Sequence, residues 1–278
     1  MPGKNIILWL IVFFSTYTPS FTQQQSRADS IARTFRPDYT IIIAGSIGAV
    51  YGVSASDFFK EYNNPFTIGG KASSFNIPLS TGATVKAAYT QGIRYGVSGD
   101  FFKAVMRDNY DHAVVVLKEN QLDTIGTRNI GSELSVSSIP VLATIEFIPV
   151  EAQFTTYFGV GAGVAFNKIF WKESVQTTVK NDPRTGGVYT DERKITPAGR
   201  IYAGVELDFD KRRRQSSILG SLLLEVRYTY IPVSSKLLEK FSSFPGAPER
   251  WKDDFSVGGS GLGLNIGVSV EFPGYFKK

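Results

Sequence analysis

The residue best suited to acid–base chemistry in this sequence is His112, the single histidine among 278 residues. It ends the segment DNYDH, where Asp108 and Asp111 supply possible orienting carboxylates. A hydrolase or acyltransferase of the Ser–His–acid type also needs a nucleophile beside the histidine, and no motif ties a serine to this segment. We therefore expect His112 to be a solvent-exposed residue of a connection between strands, and we predict no catalytic residue.

A glycine-rich stretch, GVGAGVAF (Gly159–Phe166), has the composition of a phosphate-binding loop. Loops of that kind follow a strand and open a helix, whereas this stretch lies inside an alternating strand pattern. A nucleotide site is therefore not indicated. We predict instead that these glycines make room for bulky arginine or tyrosine side chains.

The amino-acid composition argues against several other kinds of functional site. The chain has no cysteine, which excludes disulfides, cysteine-bound zinc and thiol catalysis. One histidine leaves almost no material for histidine-based metal sites. The net charge of +5 comes from scattered basic residues rather than from a basic face with interleaved aromatics, so nucleic acid is not an expected partner. We predict no cofactor and no bound metal.

The first residues have the three-part order of a secretory signal peptide. A basic start, MPGK, precedes the apolar run NIILWLIVFF and a polar stretch, STYTPSFTQQQ. The apolar run is short for a membrane-spanning helix. We predict a signal peptide over residues 1–22, a short periplasmic segment over 23–38 and a β-barrel over 39–278.

From Tyr39 onward, apolar residues recur at every second position, as in strands with one apolar face. The opposite face is small, polar and charged. Each stretch is long enough for a tilted strand to cross a bilayer. The predicted strands are Tyr39–Val53, Ser80–Thr90, Ile93–Val105, Glu133–Ile148, Phe154–Phe166, Gly199–Phe209, Ser217–Tyr230 and Gly261–Phe272.

The connections between these strands alternate between long and short. The short ones are Gln91–Gly92, Pro149–Gln153 and Asp210–Ser216. Long loops at one rim and short turns at the other are typical of outer-membrane barrels, and an even strand count places both termini on the periplasmic side. The basic cluster Lys211–Arg214 falls on a short turn, where it either contacts anionic lipid headgroups or is simply solvated.

Two features predict that the apolar face points outward, toward lipid. Aromatic residues cluster at both ends of the apolar face with aliphatic residues between them, as in the girdles of membrane barrels. The opposite face carries full charges in mid-strand, which an eight-stranded lumen holds only as a packed ion-pair network. These charges are Lys86, Arg94, Asp100, Glu146, Arg200, Glu206, Glu225, Arg227 and Glu271. The predicted fold is an all-β, antiparallel transmembrane up-and-down barrel of about eight strands.

Three stretches, LSVSSIPVLATIEF, YFGVGAGVAF and GLGLNIGVSVEF, resemble the OmpA/OmpX-like outer-membrane β-barrel family, especially its stand-alone barrels. The resemblance implies a bacterial outer-membrane location, with lipopolysaccharide and phospholipid as neighbours. Asn265, Gly267, Val270 and Phe272 match the family's assembly signal, which implies the barrel-assembly machinery as a partner. In the family this signal usually ends the chain, whereas here PGYFKK follows it.

The long connections are the remaining candidates for function. Phe166–Gly199 predicts two strands that run past the membrane around the turn NDPRTGG, and His112–Gly126 contains a similar apolar run. Both would give a projecting sheet with an edge for a partner. The predicted function is structural or surface-interacting (adhesin-like), with a filled polar lumen.

Two alternatives remain from the sequence. One is a lipid A-modifying enzyme with His112 as base. The other is a ten-stranded barrel with a narrow channel, if Ala113–Leu117 forms a membrane strand of its own. Pro140 lacks a backbone donor inside a predicted strand, and we predict a bulge there.

Overall fold

A computed structural model of the chain describes residues 39–64, 68–72, 74–90, 92–118, 121–150, 154–180, 182, 184–209, 219–242 and 247–274. The predicted signal peptide, the segment 23–38 and the basic cluster Lys211–Arg214 lie outside these residues. Those three assignments stay predictions.

Ten strands and a short helix form the described fold. In chain order they are β1 (Tyr39–Tyr51), α1 (Ser56–Tyr62), β2 (Leu79–Thr90), β3 (Ile93–Lys118), β4 (Gln121–Val150), β5 (Phe154–Thr177), β6 (Val188–Asp208), β7 (Leu219–Tyr230), β8 (Ser234–Ser235), β9 (Phe255–Ser256) and β10 (Gly261–Gly274). Two 3₁₀ turns, Glu239–Phe241 and Glu249–Lys252, lie between β8 and β9. Eight of the strands close an antiparallel barrel in the order β1-β10-β7-β6-β5-β4-β3-β2. The predicted eight-stranded up-and-down barrel is confirmed.

Closure joins the first and last barrel strands, with Ile43 opposite Val270 and Ile47 opposite Ile266. We call the rim where Tyr39 pairs with Gly274 the turn end, and the opposite rim the loop end. Two long connections meet at the loop end. Residues 52–78 contain α1, and residues 231–260 contain β8, β9 and the 3₁₀ turns.

Four strands continue well past the other four at the loop end. β2 pairs with β3 only as far as Phe102, and β7 pairs with β6 only as far as Gly199. Beyond those points β3, β4, β5 and β6 form a four-stranded extension over residues 103–118, 121–138, 167–177 and 188–198, which we call the projecting sheet. The strands predicted to run past the membrane are therefore present. The predicted ends at Val105, Glu133, Phe166 and Gly199 were wrong because the chain keeps pairing beyond them.

The ten-stranded alternative is also wrong. Residues 113–117 continue β3 and pair back onto β4, up to Lys118 opposite Gln121. They add length to an existing strand and not a strand to the barrel.

The apolar face changes sides where the projecting sheet begins. Phe101 on β3 is 44% exposed on the outside of the barrel, whereas Phe102 is 4% exposed inside it. Below this point the exposed outward side chains include Val97, Ile145 and Val160, and above it Met106, Leu134 and Trp171 are buried inward. An apolar outer face suits lipid, and a buried apolar inner face suits a water-exposed sheet.

The two long connections pack onto the inner face of the projecting sheet. The ring of Phe58 from α1 lies 5.2 Å from that of Trp171 on β5, and Trp171 lies 5.7 Å from Phe241 of the second connection. A helix of seven residues is marginal alone, so this packing holds α1 in place. No helix among the described residues has the length and apolarity needed to cross a bilayer.

The bulge predicted at Pro140 is not formed. Gly99 pairs with Val141 and Phe102 with Ser138, so the β3–β4 register is the same on both sides of the proline. The ladder omits the two pairs between them, 100 with 140 and 101 with 139, as expected where a proline supplies no backbone N–H. On its other side Pro140 pairs in register with Ala165 of β5.

Candidate functional site

The outer surface between the two rims is that of a membrane-spanning barrel. Exposed aliphatic side chains such as Ile43, Val97 and Leu264 cover its middle. Exposed aromatics at the turn end include Tyr89, Tyr95, Phe147, Phe154, Phe158, Phe209 and Phe272, and those at the loop end include Tyr51, Phe101, Phe166, Tyr228 and Tyr230. This two-girdle arrangement is expected where a barrel meets two lipid–water interfaces. The chain is a transmembrane β-barrel.

The predicted lumen charges form ion pairs that cross the barrel. Toward the turn end, Lys86 pairs with Glu146, and Arg94 Nη1 lies 2.7 Å from Glu206 Oε2. Toward the loop end, Asp100 accepts hydrogen bonds from Arg200 (2.5 Å) and Arg227 (2.7 Å). Because these partners lie on strands that are not neighbours, the pairs link separate parts of the barrel wall through the lumen. The prediction of a buried ion-pair network is confirmed.

Two glycines give the lumen room for two tyrosines. Gly159 lies opposite Tyr202 across the β5–β6 ladder, and Tyr157 lies opposite Gly204. A Cβ added at either glycine would collide with the ring of the tyrosine opposite it. The two rings meet edge to face, with centroids 6.3 Å apart. The predicted role of the glycines in GVGAGVAF is confirmed at Gly159.

The lumen has little free space. A cavity of ≈ 30 Å³ lies among Lys86, Glu146, Tyr157 and Arg227, and another of ≈ 10 Å³ lies beside Asp100 and Pro140. The smaller has room for about one water molecule and the larger for a few at most. At the described residues, side chains fill the barrel.

A second buried polar cluster joins the loop-end connections to the projecting sheet. Tyr62 of α1 donates a hydrogen bond to Glu173 of β5 (2.5 Å), and Arg184 Nη2 lies 2.7 Å from the same carboxylate. Arg184 also donates to the carbonyl of Ile68 (2.7 Å). Burial and the negative charge of Glu173 raise the pKa of Tyr62 far above its usual range, so the phenol stays neutral. The cluster fixes the connection 52–78 against the sheet.

Asp182 anchors the neighbouring turn between β5 and β6. Arg128 donates hydrogen bonds to its carboxylate from Nε (2.5 Å) and Nη2 (2.8 Å). Burial alone would raise the pKa of Asp182, but hydrogen bonds from Arg128, the Arg184 backbone and Thr177 lower it to about 2. Sequence reasoning did not find this set, because Arg128 comes from β4, Thr177 ends β5 and Asp182 lies in the turn, and only the fold brings them together.

His112 is not the exposed loop residue that we predicted. It lies within β3, partly buried, with Gly69 of the first connection against its ring. Asp111 is the next residue toward the N-terminus and therefore points to the other face, where it accepts a hydrogen bond from Asn129 (2.9 Å). The base–carboxylate arrangement of the enzyme alternative is not formed with Asp111. His112 Nδ1 is buried and has no hydrogen-bond partner among the residues that the structure describes.

One edge of the projecting sheet is open. Val105 of β3 donates its N–H to Asn76 Oδ1 (2.7 Å) and accepts from the Asn76 N–H (2.9 Å), both on the side facing away from β4. Alternate residues of a strand direct their backbone groups to the same side, so Arg107, Asn109 and Asp111 present theirs at this edge. Within the described ranges, no backbone group of another segment bonds to these three.

The four residues of the assembly signal divide between the faces of β10. Asn265 is buried in the lumen and accepts a hydrogen bond from Ser80 (3.1 Å), and Gly267 lies on the same side. Val270 and Phe272 lie on the outward side, with Phe272 in the turn-end girdle. Their recognition by an assembly machinery stays a prediction.

Comparison with known proteins finds structural similarity between this chain and solved outer-membrane proteins. No family model and no curated protein matches the sequence. Neisserial surface protein A is similar at 10% identity and a TM-score of 0.37, over 84% of this chain and 96% of that one. OprG of Pseudomonas aeruginosa has 14% identity and a TM-score of 0.37 (85% and 97%), and Ail of Yersinia pestis has 13% and 0.32 (86% and 100%). The fold assignment itself rests on the strand pairing described above.

Proposed function

We propose that this chain is a surface-interaction protein of the bacterial outer membrane, with a closed lumen and with the loop end outside the cell. The short connection between β2 and β3 lies at the turn end, as do both ends of the barrel, and turns of this kind face the periplasm in outer-membrane barrels. The polar outer face of the projecting sheet suits an aqueous surface. Both termini are then periplasmic.

The proposal of a closed lumen is supported by two layers of packing. Ion pairs and tyrosines fill the membrane-spanning part, and an aromatic core of α1 and the second connection covers it at the loop end. We expect no stable ionic conductance from the protein in planar bilayers. A steady open-channel current would contradict the closed lumen.

The open edge of β3 is the observation that carries the interaction role. Arg107, Asn109 and Asp111 offer backbone donors and acceptors in a row that no described segment pairs with, on a sheet packed over its own core. An extended peptide segment can add to such an edge as a further strand, with affinity from the main chain. The partner class is therefore an extended segment of another protein.

Proline at position 109 tests the edge directly. Asn109→Pro removes one edge N–H but leaves the β3–β4 ladder intact, since a proline is tolerated where the N–H faces outward from an edge strand. The matched control, Asn109→Ala, changes the same side chain and keeps the N–H. The probe is a phage-displayed library of random linear peptides, selected on the purified protein in detergent micelles.

We expect the selected peptides to bind the native protein and Asn109→Ala equally, and Asn109→Pro about tenfold more weakly or worse. Both variants must keep the heat-modifiable gel mobility of a folded barrel. Equal binding to all three proteins, or no selected peptide at all, would contradict the proposed binding of peptides to this edge.

A further inference from the structure

Three cations form a row across the outer face of the projecting sheet at its base. Lys103 of β3 lies opposite Ser137 of β4, Ser137 lies opposite Lys168 of β5, and Lys168 lies opposite Arg193 of β6. We call Lys103, Lys168 and Arg193 the cationic row. Lys103 and Arg193 are exposed, and the Lys168 side chain is 44% exposed.

The row lies at the edge of the lipid-facing band. Each cation is the next outward-facing residue after an exposed apolar side chain, two positions away along the strand. The pairs are Phe101 and Lys103 on β3, Phe166 and Lys168 on β5, and Ile195 and Arg193 on β6, which runs in the direction opposite to β5. Long cationic side chains at such a boundary extend toward headgroups while their methylene stems stay against apolar surface. The corresponding exposed loop-end residues of β1, β2, β7 and β10 are Tyr51, Leu79, Tyr230 and Leu262. The cations are confined to one side of the barrel.

The protein supplies too few acids to neutralise the row. Lys168 and Arg193 stand directly opposite each other, and like charges in that position destabilise a sheet. Lys168 Nζ lies 3.2 Å from Asp191 Oδ2. Over the described residues, neither Lys103 nor Arg193 has a carboxylate within ion-pair distance. An anion between the cations would remove the repulsion.

We propose that the cationic row binds phosphate groups of the phosphorylated glycolipid of the outer leaflet, lipopolysaccharide. Neighbouring strands are about 4.8 Å apart, so the three cations span roughly 14 Å, enough for a headgroup with more than one phosphate. Ser137 leaves a small polar gap between Lys103 and Lys168. The position beside the lipid band favours a phosphate carried by a lipid over one free in solution. This inference uses the proposed outward direction of the loop end but not the proposed peptide-binding edge, so either can fail alone.

The test compares two triple variants that remove the same charge. The row variant is K103Q/K168Q/R193Q, and the control K60Q/K236Q/K252Q removes three exposed lysines from the connections. Each is purified as a folded barrel in detergent micelles and titrated with bisphosphorylated lipid A, with dephosphorylated lipid A, and with bisphosphorylated lipid A in the presence of inorganic phosphate.

We expect the row variant to bind bisphosphorylated lipid A at least about tenfold more weakly than the native protein, and the control to bind it normally. Dephosphorylated lipid A should bind the native protein as weakly as the row variant binds the phosphorylated form. Inorganic phosphate should not compete.

Equal affinity of the two triple variants would overturn the proposal, as would tight binding of dephosphorylated lipid A. Displacement by inorganic phosphate at matched phosphate concentration would also overturn it, since the site would then take a free anion. If the row variant folds poorly, the single substitutions Lys103→Gln and Arg193→Gln decide by the same titrations, and a charge-keeping K103R/K168R variant should bind normally.

Discussion

Phe101 and Phe102 are neighbours of the same type, yet one is exposed on the outer surface of the barrel and the other packs in a core. They point to opposite faces of β3, because successive side chains of a strand alternate between its two faces. Phe101 therefore lies on the outer surface, and Phe102 lies in the buried interior. The same holds at Phe166, which is exposed, and Ala165, which is fully buried. At the scale of the residue, a side chain's role here is set by its side of the strand and its height along the barrel.

His112 predicts that local stability at the loop end depends on pH. Burial and the charges of Arg128 and Arg184 lower its pKa below the ordinary 6.5. The unfolded chain then takes up the proton first as the pH falls, so the stabilising contribution of the neutral ring is complete above about pH 6.5 and is lost below it. We expect backbone amides of α1 and of Gly69 to exchange hydrogen faster, after correction for intrinsic rates, at about pH 5.5 than at about pH 7.5.

Because His112 is the one histidine of the chain, His112→Gln should abolish this difference. A pH effect of the same size in the variant would assign the effect to another group.

At the scale of the element, β5 and β6 show how strand pairs are matched. The tyrosine of one strand lies over the glycine of the other in both directions, so the two strands fit only in this register. Beyond the membrane the same strands carry Ile169, Trp171 and Val188 inward and hold the aromatic core. One continuous strand pair thus serves a polar lumen at one end and an apolar core at the other.

Gly159→Ala tests the fit between β5 and β6. The added methyl group has no room beside the Tyr202 ring, and we expect a loss of about 1–3 kcal/mol in the free energy of unfolding. Gly45→Ala is the matched control, because nothing lies within 4 Å of a Cβ added there. Urea titration of both variants in lipid vesicles measures the difference. Equal stabilities would mean that the tyrosine moves aside without cost.

At the scale of the whole molecule, contacts across the lumen hold the barrel walls together. Asp100 on β3 binds arginines from β6 and β7, which are several strands away around the barrel. At the loop end, Tyr62, Glu173 and Arg184 bind the first connection to the projecting sheet in the same way. The result is a barrel filled inside and covered at the loop end, and the two proposed interaction surfaces lie on the outside of the projecting sheet.

Asp100→Asn should therefore be costly. It leaves Arg200 and Arg227 buried without their shared carboxylate, and we expect a loss of roughly 3–5 kcal/mol in the free energy of unfolding. Glu133→Gln breaks an exposed pair with Arg107 (3.2 Å) and should cost less than about 1 kcal/mol. Urea unfolding in lipid vesicles, read by gel mobility, compares the two. A small effect at Asp100 would show that other lumen groups replace it.

Sequence patterns alone predicted the barrel strands, their order along the chain, the lipid-facing side and the charged residues of the lumen. These properties depend on local alternation, because a strand that crosses a membrane must keep an apolar outer face over its full length. The sequence also indicated a projecting sheet, but placed its beginning inside predicted loops. At the base of the projecting sheet, the apolar residues change from the outward to the inward positions of the strands. A prediction that follows one apolar face along the strand therefore ends there.

The three-dimensional fold was needed to learn which charges pair, how the connections fold and where His112 lies. Asp100 and Arg227 are 127 residues apart in sequence, and Tyr62 and Glu173 are 111 apart. No local pattern records such separations. The cationic row and the open edge of β3 likewise exist only through register, since they depend on which residues lie opposite one another and on where β2 stops. Contacts of this kind come from the closing of the barrel, and they carry the functional proposals for this protein.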